Sequence, residues 1–291
     1  MMVTSRTALL VGMLAGTCLG GAAGVFAGRT SNYPVPTTEP DAAAPTPAPA
    51  PAPALQVGSF PRVSFAQQGE DIIMDQMVSY FGIDHPSYLD IGAHDPIIYN
   101  NTFLFYGRGS RGVLVEPNPV MVDKLRHERP GDTVLAVGIG VTDAPSADYY
   151  VTHGAGLLNT FSKQEAEALK RKYGPEFIER VLQIPLVNVN RVLADHFPHG
   201  GPDLLSIDTE GLDLDILRSL DFTRFRPRII CVETLVDDTR LVQADIVTLV
   251  TSKHYTVRGG TFVNTIFVAN ELIEASPAPK TSKTSAPPAG L

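Results

Sequence analysis

The feature that most constrains this chain is a series of short apolar runs separated by helical stretches. Residues 88–91 (YLDI), 112–116 (GVLVE), 133–137 (TVLAV), 203–208 (DLLSID) and 228–233 (RIICVE) read as strands. Residues 102–106, 213–220 and 238–252 read as helices, and 119–129 is a helix opened by Pro119 in its first turn. Ahead of the first strand, 69–81 (GEDIIMDQMVSYF) places Ile72, Ile73, Met77, Val78 and Phe81 near one face of an amphipathic helix. Two more short strands, 255–257 and 265–268, follow the last helix. Strands alternating with helices dictate a mainly parallel sheet covered on both faces. The expected fold is a Rossmann-like, doubly wound α/β domain with an antiparallel edge strand. Residues 144–200 interrupt the rhythm with two polar helical stretches, 162–173 and 175–182.

The ends of the chain obey other rules. Residues 30–59 are dominated by Pro, Ala and Thr, and the tail 274–291 has the same character, so neither can bury a core. The globular domain is expected over 60–273, long enough for one sizeable core. Within residues 1–29, the uncharged stretch 8–27 matches the ~20 residues that span a bilayer and is bracketed by Arg6 and Arg29. Gly12, Gly16, Gly20, Gly24 and Gly28 recur at every fourth position with Ala8 in phase, a smooth ridge of the kind that lets membrane helices approach. This favours a single-pass membrane anchor, self-associating through the ridge, over a cleaved signal peptide with 25–27 (VFA) as its cleavage site. Basic residues on the two sides nearly balance, so orientation cannot be read. A net charge of −8, with no Lys/Arg cluster interleaved with aromatics, argues against a nucleic-acid surface. Cys18 and Cys231 lie in an apolar terminal segment and a predicted core strand, which argues against a disulfide or a structural zinc site.

In open α/β sheets, ligands bind beyond the carboxyl ends of the strands, where strand order reverses. Here those ends read Asp90-Ile91-Gly92-Ala93-His94-Asp95-Pro96, Glu116-Pro117-Asn118-Pro119, Asp208-Thr209-Glu210-Gly211 and Glu233. A purely structural sheet has little reason to gather carboxylates, which repel one another and are costly to desolvate. Each has a plainer explanation when taken singly. Strand-end Asp residues cap helices, Asp95 before Pro96 has the form of an N-cap, His94 suits an exposed loop, and Glu210 suits the positive end of the next helix. The combination points to a site.

A dinucleotide is disfavoured there. Its fingerprint wants glycines where His94 and Pro96 stand, and proline removes an N–H that would cradle a pyrophosphate. A cofactor without phosphates does not need that donor. S-adenosylmethionine fits: Gly92 allows the close turn, Glu116 stands where an acid receives ribose hydroxyls, and Asp90 can receive the methionyl ammonium directly or through water.

These blocks resemble the FkbM-type S-adenosylmethionine-dependent methyltransferases. The resemblance covers about residues 65–268 and rests on AQQGED, YLDIGAHDP followed by NNT, GVLVEPNP, LLSIDTEGLDLDIL and IICVE in this order. It implies the class I methyltransferase form of the fold, with Asp90, Gly92 and Ala93 lining the cofactor and Glu116 on its ribose. It further implies Asn118 near the adenine, and Asn101 and Thr102 supporting the first loop. Many members carry Gly where Pro96 stands. The usual activity in the family is O-methylation of a sugar or natural product, so a small-molecule or glycan hydroxyl acceptor is implied.

An alcohol is a poor nucleophile until its proton is leaving, and a base within about 3 Å or a metal on its oxygen would answer this. Asp208, Glu210 and Glu233 are the acids expected near the methyl group, with Asp208 or Glu210 as base and His94 in reserve. The same oxygens suit Mg2+, a hard cation. The insertion 144–200 is expected to form part of the acceptor pocket, because long connections in compact domains are usually functional. The rival readings are a membrane-anchored, non-catalytic binding protein on the same fold, and a nicotinamide-dependent sugar oxidoreductase. Pro96 and the lack of a convincing Tyr-x-x-x-Lys pair stand against the second.

Overall fold

The computed structural model describes residues 62–154, 156–236 and 241–276. The apolar segment 8–27 with its glycine ridge, the Pro-rich stretch and most of the tail lie outside these residues. Among the described residues, no helix is long and apolar enough to cross a membrane.

From the amino end, α1 (Glu70–Tyr80) precedes β1 (Tyr88–Ile91), α2 (Phe103–Gly107), β2 (Gly112–Val115), α3 (Pro119–Glu128) and β3 (Thr133–Leu135). The long connection that follows supplies β4 (Gly138–Gly140), β5 (Ser146–Thr152), α4 (Lys163–Tyr173), β6 (Ile178–Asn188) and α5 (Val189–His196). The second half runs through β7 (Leu204–Ile207), α6 (Asp213–Ser219) and β8 (Ile229–Glu233), then the short β9 (Leu235–Val236) and β10 (Leu241–Val242). It closes with α7 (Ala244–Ser252), β11 (Tyr255–Gly260), β12 (Asn264–Ala269) and α8 (Asn270–Ala275).

The main sheet has seven strands in the order β11-β12-β8-β7-β1-β2-β3. Strands β3, β2, β1, β7 and β8 are mutually parallel, and β12 runs antiparallel between β8 and β11. This is the doubly wound sheet expected from the alternation, with its antiparallel strand one place in from the edge. Because strand side chains alternate between faces, Leu89, Ile91, Leu205 and Ile207 pack with α5, α6 and α7, while Tyr88, Leu204, Ile229 and Cys231 pack with α1 and α3. Strand order reverses between β1 and β7, which makes their carboxyl ends the switch point where such sheets bind ligands.

The insertion departs from expectation. Residues 162–173 do form a helix, capped by Ser162 Oγ on Glu165 N. Residues 175–182 do not. A 3-10 turn, Pro175–Phe177, leads straight into β6, which pairs antiparallel with β5 and parallel with β4. Leu182, Ile184 and Leu186 turn inward while Gln183 and Pro185 are exposed. That two-residue period is the signal the helical reading overlooked. The start of α7 is also later than expected, because Leu241 and Val242 pair with β9 instead of joining the helix.

Helix α1 differs in kind. Its buried residues are Glu70, Asp71, Met74, Asp75 and Val78, with Ile73, Met77 and Phe81 only partly covered. The acids are inside because each is bonded there. Asp71 accepts from Ser64 Oγ and Phe65 N, and Glu70 accepts from Gln68 N, Thr261 Oγ1 and Asn264 Nδ2. Asp75 pairs with Arg108. The AQQGED block thus clasps the incoming chain and the β11–β12 turn to the start of α1.

A single buried arginine ties the β1–β3 half together. Arg129 has no exposed side-chain surface and forms an ion pair with Asp132 at 2.8 Å. It also donates to Asn100 Oδ1 at 2.9 Å, and to Tyr88 Oη and Thr102 Oγ1 at 3.0 Å each. Removing one member of a buried, bonded pair strands its partner's charge, at about 3–5 kcal/mol. Arg129→Met is therefore expected to lower unfolding free energy by roughly that amount, read as a shift in the urea midpoint at unchanged slope.

Candidate functional site

The strand register gathers the sequence-predicted residues. Val115, Ile91, Ile207 and Val232 stand side by side across β2, β1, β7 and β8. The next residue on each strand is Glu116, Gly92, Asp208 and Glu233 respectively. One row at the carboxyl edge therefore carries a member of each expected strand-end block.

Gly92 can only be glycine. Its φ is +84°, and a Cβ there would lie 1.8 Å from the carbonyl oxygen of Asp208. The absence of that atom lets the β1 loop close onto the β7 loop, and Asp208 N donates to Ile91 O at 3.0 Å in the same contact. Beyond Gly92 the loop curls around Glu116. Gly92 N and Ala93 N donate to Val115 O, and His94, itself left-handed at φ 48°, donates its N–H to Glu116 Oε2 at 2.8 Å. The other carboxylate oxygen accepts from Asn118 N at 2.7 Å. Burial pushes the Glu116 carboxyl up to about 7; the two N–H bonds oppose the shift and the Asp90 charge adds to it. The N–H groups of Gly92, Ala93 and His94 are thus already bonded, beside a buried acid.

Asp95 and Pro96 behave differently from the expected helix start. Asp95 Oδ1 accepts from Ile97 N and Ile98 N as an N-cap does, but the chain only turns there, and α2 begins at Phe103. The organiser of this loop is Asn100, which the motif reading passed over. It donates to Ala93 O and Asp95 O, and its Oδ1 accepts from Thr102 N, Phe103 N and Arg129. The doubled Asn in NNT was the available hint. Asn101 Nδ2 reaches Ser206 Oγ at 3.2 Å and Thr102 Oγ1 donates to Asp90 Oδ2 at 2.7 Å, so Asn101 holds β7 and Thr102 holds β1. Asp90 itself lies in the interior, its carboxyl pushed up by burial, with Arg129, Thr102 and Ser206 opposing the shift. Asn118 caps α3 through Val120 N.

On the β7 side, Asp213 accepts from Thr209 N and Gly211 N. Glu210 is left-handed at φ 52°, and its carbonyl accepts from Thr160 Oγ1 of the insertion. Non-glycine residues rarely hold this conformation, and those that do concentrate at functional loops; both His94 and Glu210 do so here. Glu233 is buried opposite Asn264. Among the described residues, no three His, Cys, Asp or Glu side chains gather as a metal site, so Asp208, Glu210 and Glu233 do not form the Mg2+ cluster they suggested. A cavity of about 50 Å³ opens beside Gly92 and Glu116, walled by Pro117, Gly138, Thr209 and the insertion's Tyr149 and Phe161. Of the predicted residues, only Gly92 and Glu116 line it. Tyr149 and Phe161 were missed, since nothing local marks an aromatic that reaches the site from another sheet.

A sequence model of the methyltransferase FkbM domain matches residues 90–249. No curated protein matches the chain. Among solved structures, the chain is similar to a TehB-like SAM-dependent methyltransferase from Corynebacterium glutamicum, at 10% identity over 70% of this chain and 88% of that one, with a TM-score of 0.35. It is also similar to magnesium protoporphyrin IX methyltransferase from Synechocystis with bound SAM (10% identity, 69% and 80% coverage, TM-score 0.35). A third is 1,6-didemethyltoxoflavin-N1-methyltransferase from Burkholderia thailandensis (8% identity, 69% and 77% coverage, TM-score 0.36).

The Gly92–Asp208 contact yields a sharp expectation. Gly92→Ala must push apart the β1 and β7 loops and strain a left-handed backbone, at a cost on the order of 4 kcal/mol or more. Circular dichroism melting should show a large drop in Tm or no folded protein, whereas Gly107→Ala, which would meet nothing within 4 Å, should melt as wild type does.

Proposed function

The chain belongs to the FkbM methyltransferase family, and from that premise we propose that it is an O-methyltransferase for a hydroxyl of a sugar, glycan or natural product. The observation that carries the cofactor side of this reading is Glu116. A buried carboxylate held on both oxygens by backbone N–H groups keeps further lone pairs for donors, which suits the hydroxyls of a ribose. Neighbouring N–H groups are already bonded, which suits a nucleoside without phosphates. Gly92 and Ala93 bring backbone against it, and Asn118 and the insertion flank it. S-adenosylmethionine supplies an activated methyl group when bound. The present cavity is far below the ~300 Å³ of a typical ligand site, so a bound nucleoside requires the rings of Tyr149 and Phe161 to swing outward.

The remaining work falls to the chain's own groups: to orient an acceptor hydroxyl, exclude water and take a proton from the acceptor oxygen. Asp208 or Glu210 takes the proton, both on the turn that Asp213 and Thr160 hold in place; Glu233 and His94 complete the polar edge. The insertion is placed to shape the acceptor side, because Thr160 and Glu165 both approach the Glu210–Gly211 turn.

Calorimetry of the full chain tests the reading. Saturable binding of S-adenosylmethionine is expected, and no heat at millimolar ligand would overturn it. The carboxylate that receives ribose hydroxyls exists above about 7 and is lost as pH falls through that value. Affinity should therefore hold at pH 8 and weaken by up to about tenfold per pH unit below 7. Asp208→Asn should slow methyl transfer to an alcohol by about 10²-fold or more with cofactor affinity unchanged; intact turnover would move the base to Glu210.

A further inference from the structure

The cavity beside Gly92 is walled mostly by apolar groups, and its polar side chains are Glu116, Tyr149 and Thr209. Glu116 accepts from two backbone N–H groups, and the Tyr149 phenol has a hydrogen bond from Asn159. Thr209 differs. Its backbone N–H donates to Asp213 Oδ1 at 3.0 Å, so the residue is anchored without its side chain. Its Oγ1 is shut off from solvent and has no hydrogen-bond partner among the described residues. Native interiors seldom leave such a group unless a ligand or solvent completes it.

Packing alone does not ask for that hydroxyl. The wall around it is built from Ile91, Val115, Val137, Ile139, Leu212 and Ile216. Valine has nearly the shape of threonine and would fill the place with no polar atom to desolvate, so threonine carries a cost to the fold that valine would not. Its position gives the hydroxyl a use. Thr209 follows Asp208, whose carbonyl oxygen occupies the space beside Gly92, so it stands where the β1 and β7 loops touch. The cavity that it shares with Glu116 is about 50 Å³, room for only a few water-sized groups. A ligand group that enters to bond Glu116 therefore arrives beside Thr209.

The two side chains are complementary in what they offer. An ionised carboxylate only accepts, so Glu116 can take the hydrogens of a diol but gives nothing to the diol oxygens. A threonine hydroxyl supplies a donor. Resting on the methyltransferase reading, we infer that Thr209 Oγ1 donates to a ribose hydroxyl oxygen of the cofactor, so that the ends of β2 and β7 hold the sugar between an acceptor and a donor.

Thr209→Val deletes the hydroxyl and keeps the shape, whereas Thr209→Ser keeps the hydroxyl. Without ligand, Thr209→Val should melt at or above the wild-type Tm, because it loses only an unbonded group. In calorimetry of the full chain it should bind S-adenosylhomocysteine about tenfold weaker than wild type, the worth of one hydrogen bond, while Thr209→Ser stays within about threefold. The 2′-deoxy and 3′-deoxy analogues of that ligand identify the oxygen. For one of them, the loss of affinity relative to the parent should be about tenfold smaller in Thr209→Val than in wild type. Parent affinity in Thr209→Val within about twofold of wild type would overturn the inference alone, as would equal losses in the two proteins for both analogues. A serine variant as weak as the valine one would overturn it as well. A Tm several degrees below wild type, or failure of Thr209→Val to fold, would show that the hydroxyl serves the fold and would also overturn it. If wild type binds neither S-adenosylmethionine nor S-adenosylhomocysteine, the methyltransferase reading falls, and this inference with it.

Discussion

The site depends on a missing atom. A carbonyl oxygen of the β7 loop occupies the place where a side chain at residue 92 would begin, and only that lets two loops from opposite sides of the switch point touch. From that contact the rest follows. The β1 loop curls over Val115, its next N–H reaches Glu116, and the row from Glu116 to Glu233 becomes one continuous edge. The hydrogen-bonded register of the four strands puts the residues level; the glycine puts the loops in contact.

The interior is unusually acidic for so small a sheet, and the reasons differ from place to place. Glu70 and Asp71 are inside because backbone N–H, hydroxyl and amide donors surround them. Asp90 is inside because Thr102 and the Arg129 charge hold it. Glu116 is held only by two N–H groups, and burial leaves it poised to change charge near neutrality. Among these four, Glu70, Asp71 and Asp90 hold the fold, while Glu116 keeps lone pairs for a ligand.

Much of this was legible in the sequence. The YLDIG, GVLVE, SID and IICVE blocks end strands, and strand ends in a parallel sheet meet at one edge, so composition and position pointed to the same place. What was not legible depends on partners far along the chain. Asn100 and Arg129 meet across 29 residues, and nothing in the NNT block that holds Asn100 points to Arg129. The burial of Glu70 was not legible because two of its donors, Thr261 and Asn264, lie at the other end of the domain. The second insertion helix failed because its two-residue period was weighed below its polarity. Tyr149 sits on a separate sheet, and only the fold shows that it reaches the cavity beside Gly92 and Glu116.

The clasp at α1 has a consequence for how the domain is made. Glu70 is among the first residues of the globular region to leave the ribosome, and its partners Thr261 and Asn264 follow 191 and 194 residues later. The bonds around Arg129, by contrast, join residues no more than 44 apart along the chain. The β1–β3 half can therefore consolidate during synthesis, while the first helix waits with an unsatisfied acid for the last hairpin. Loop closure over such a distance is slow compared with local pairing. Completion of the amino-terminal helix is thus a late event, and a nascent chain stopped before residue 264 exposes that acid and the apolar strands beside it to whatever else is near.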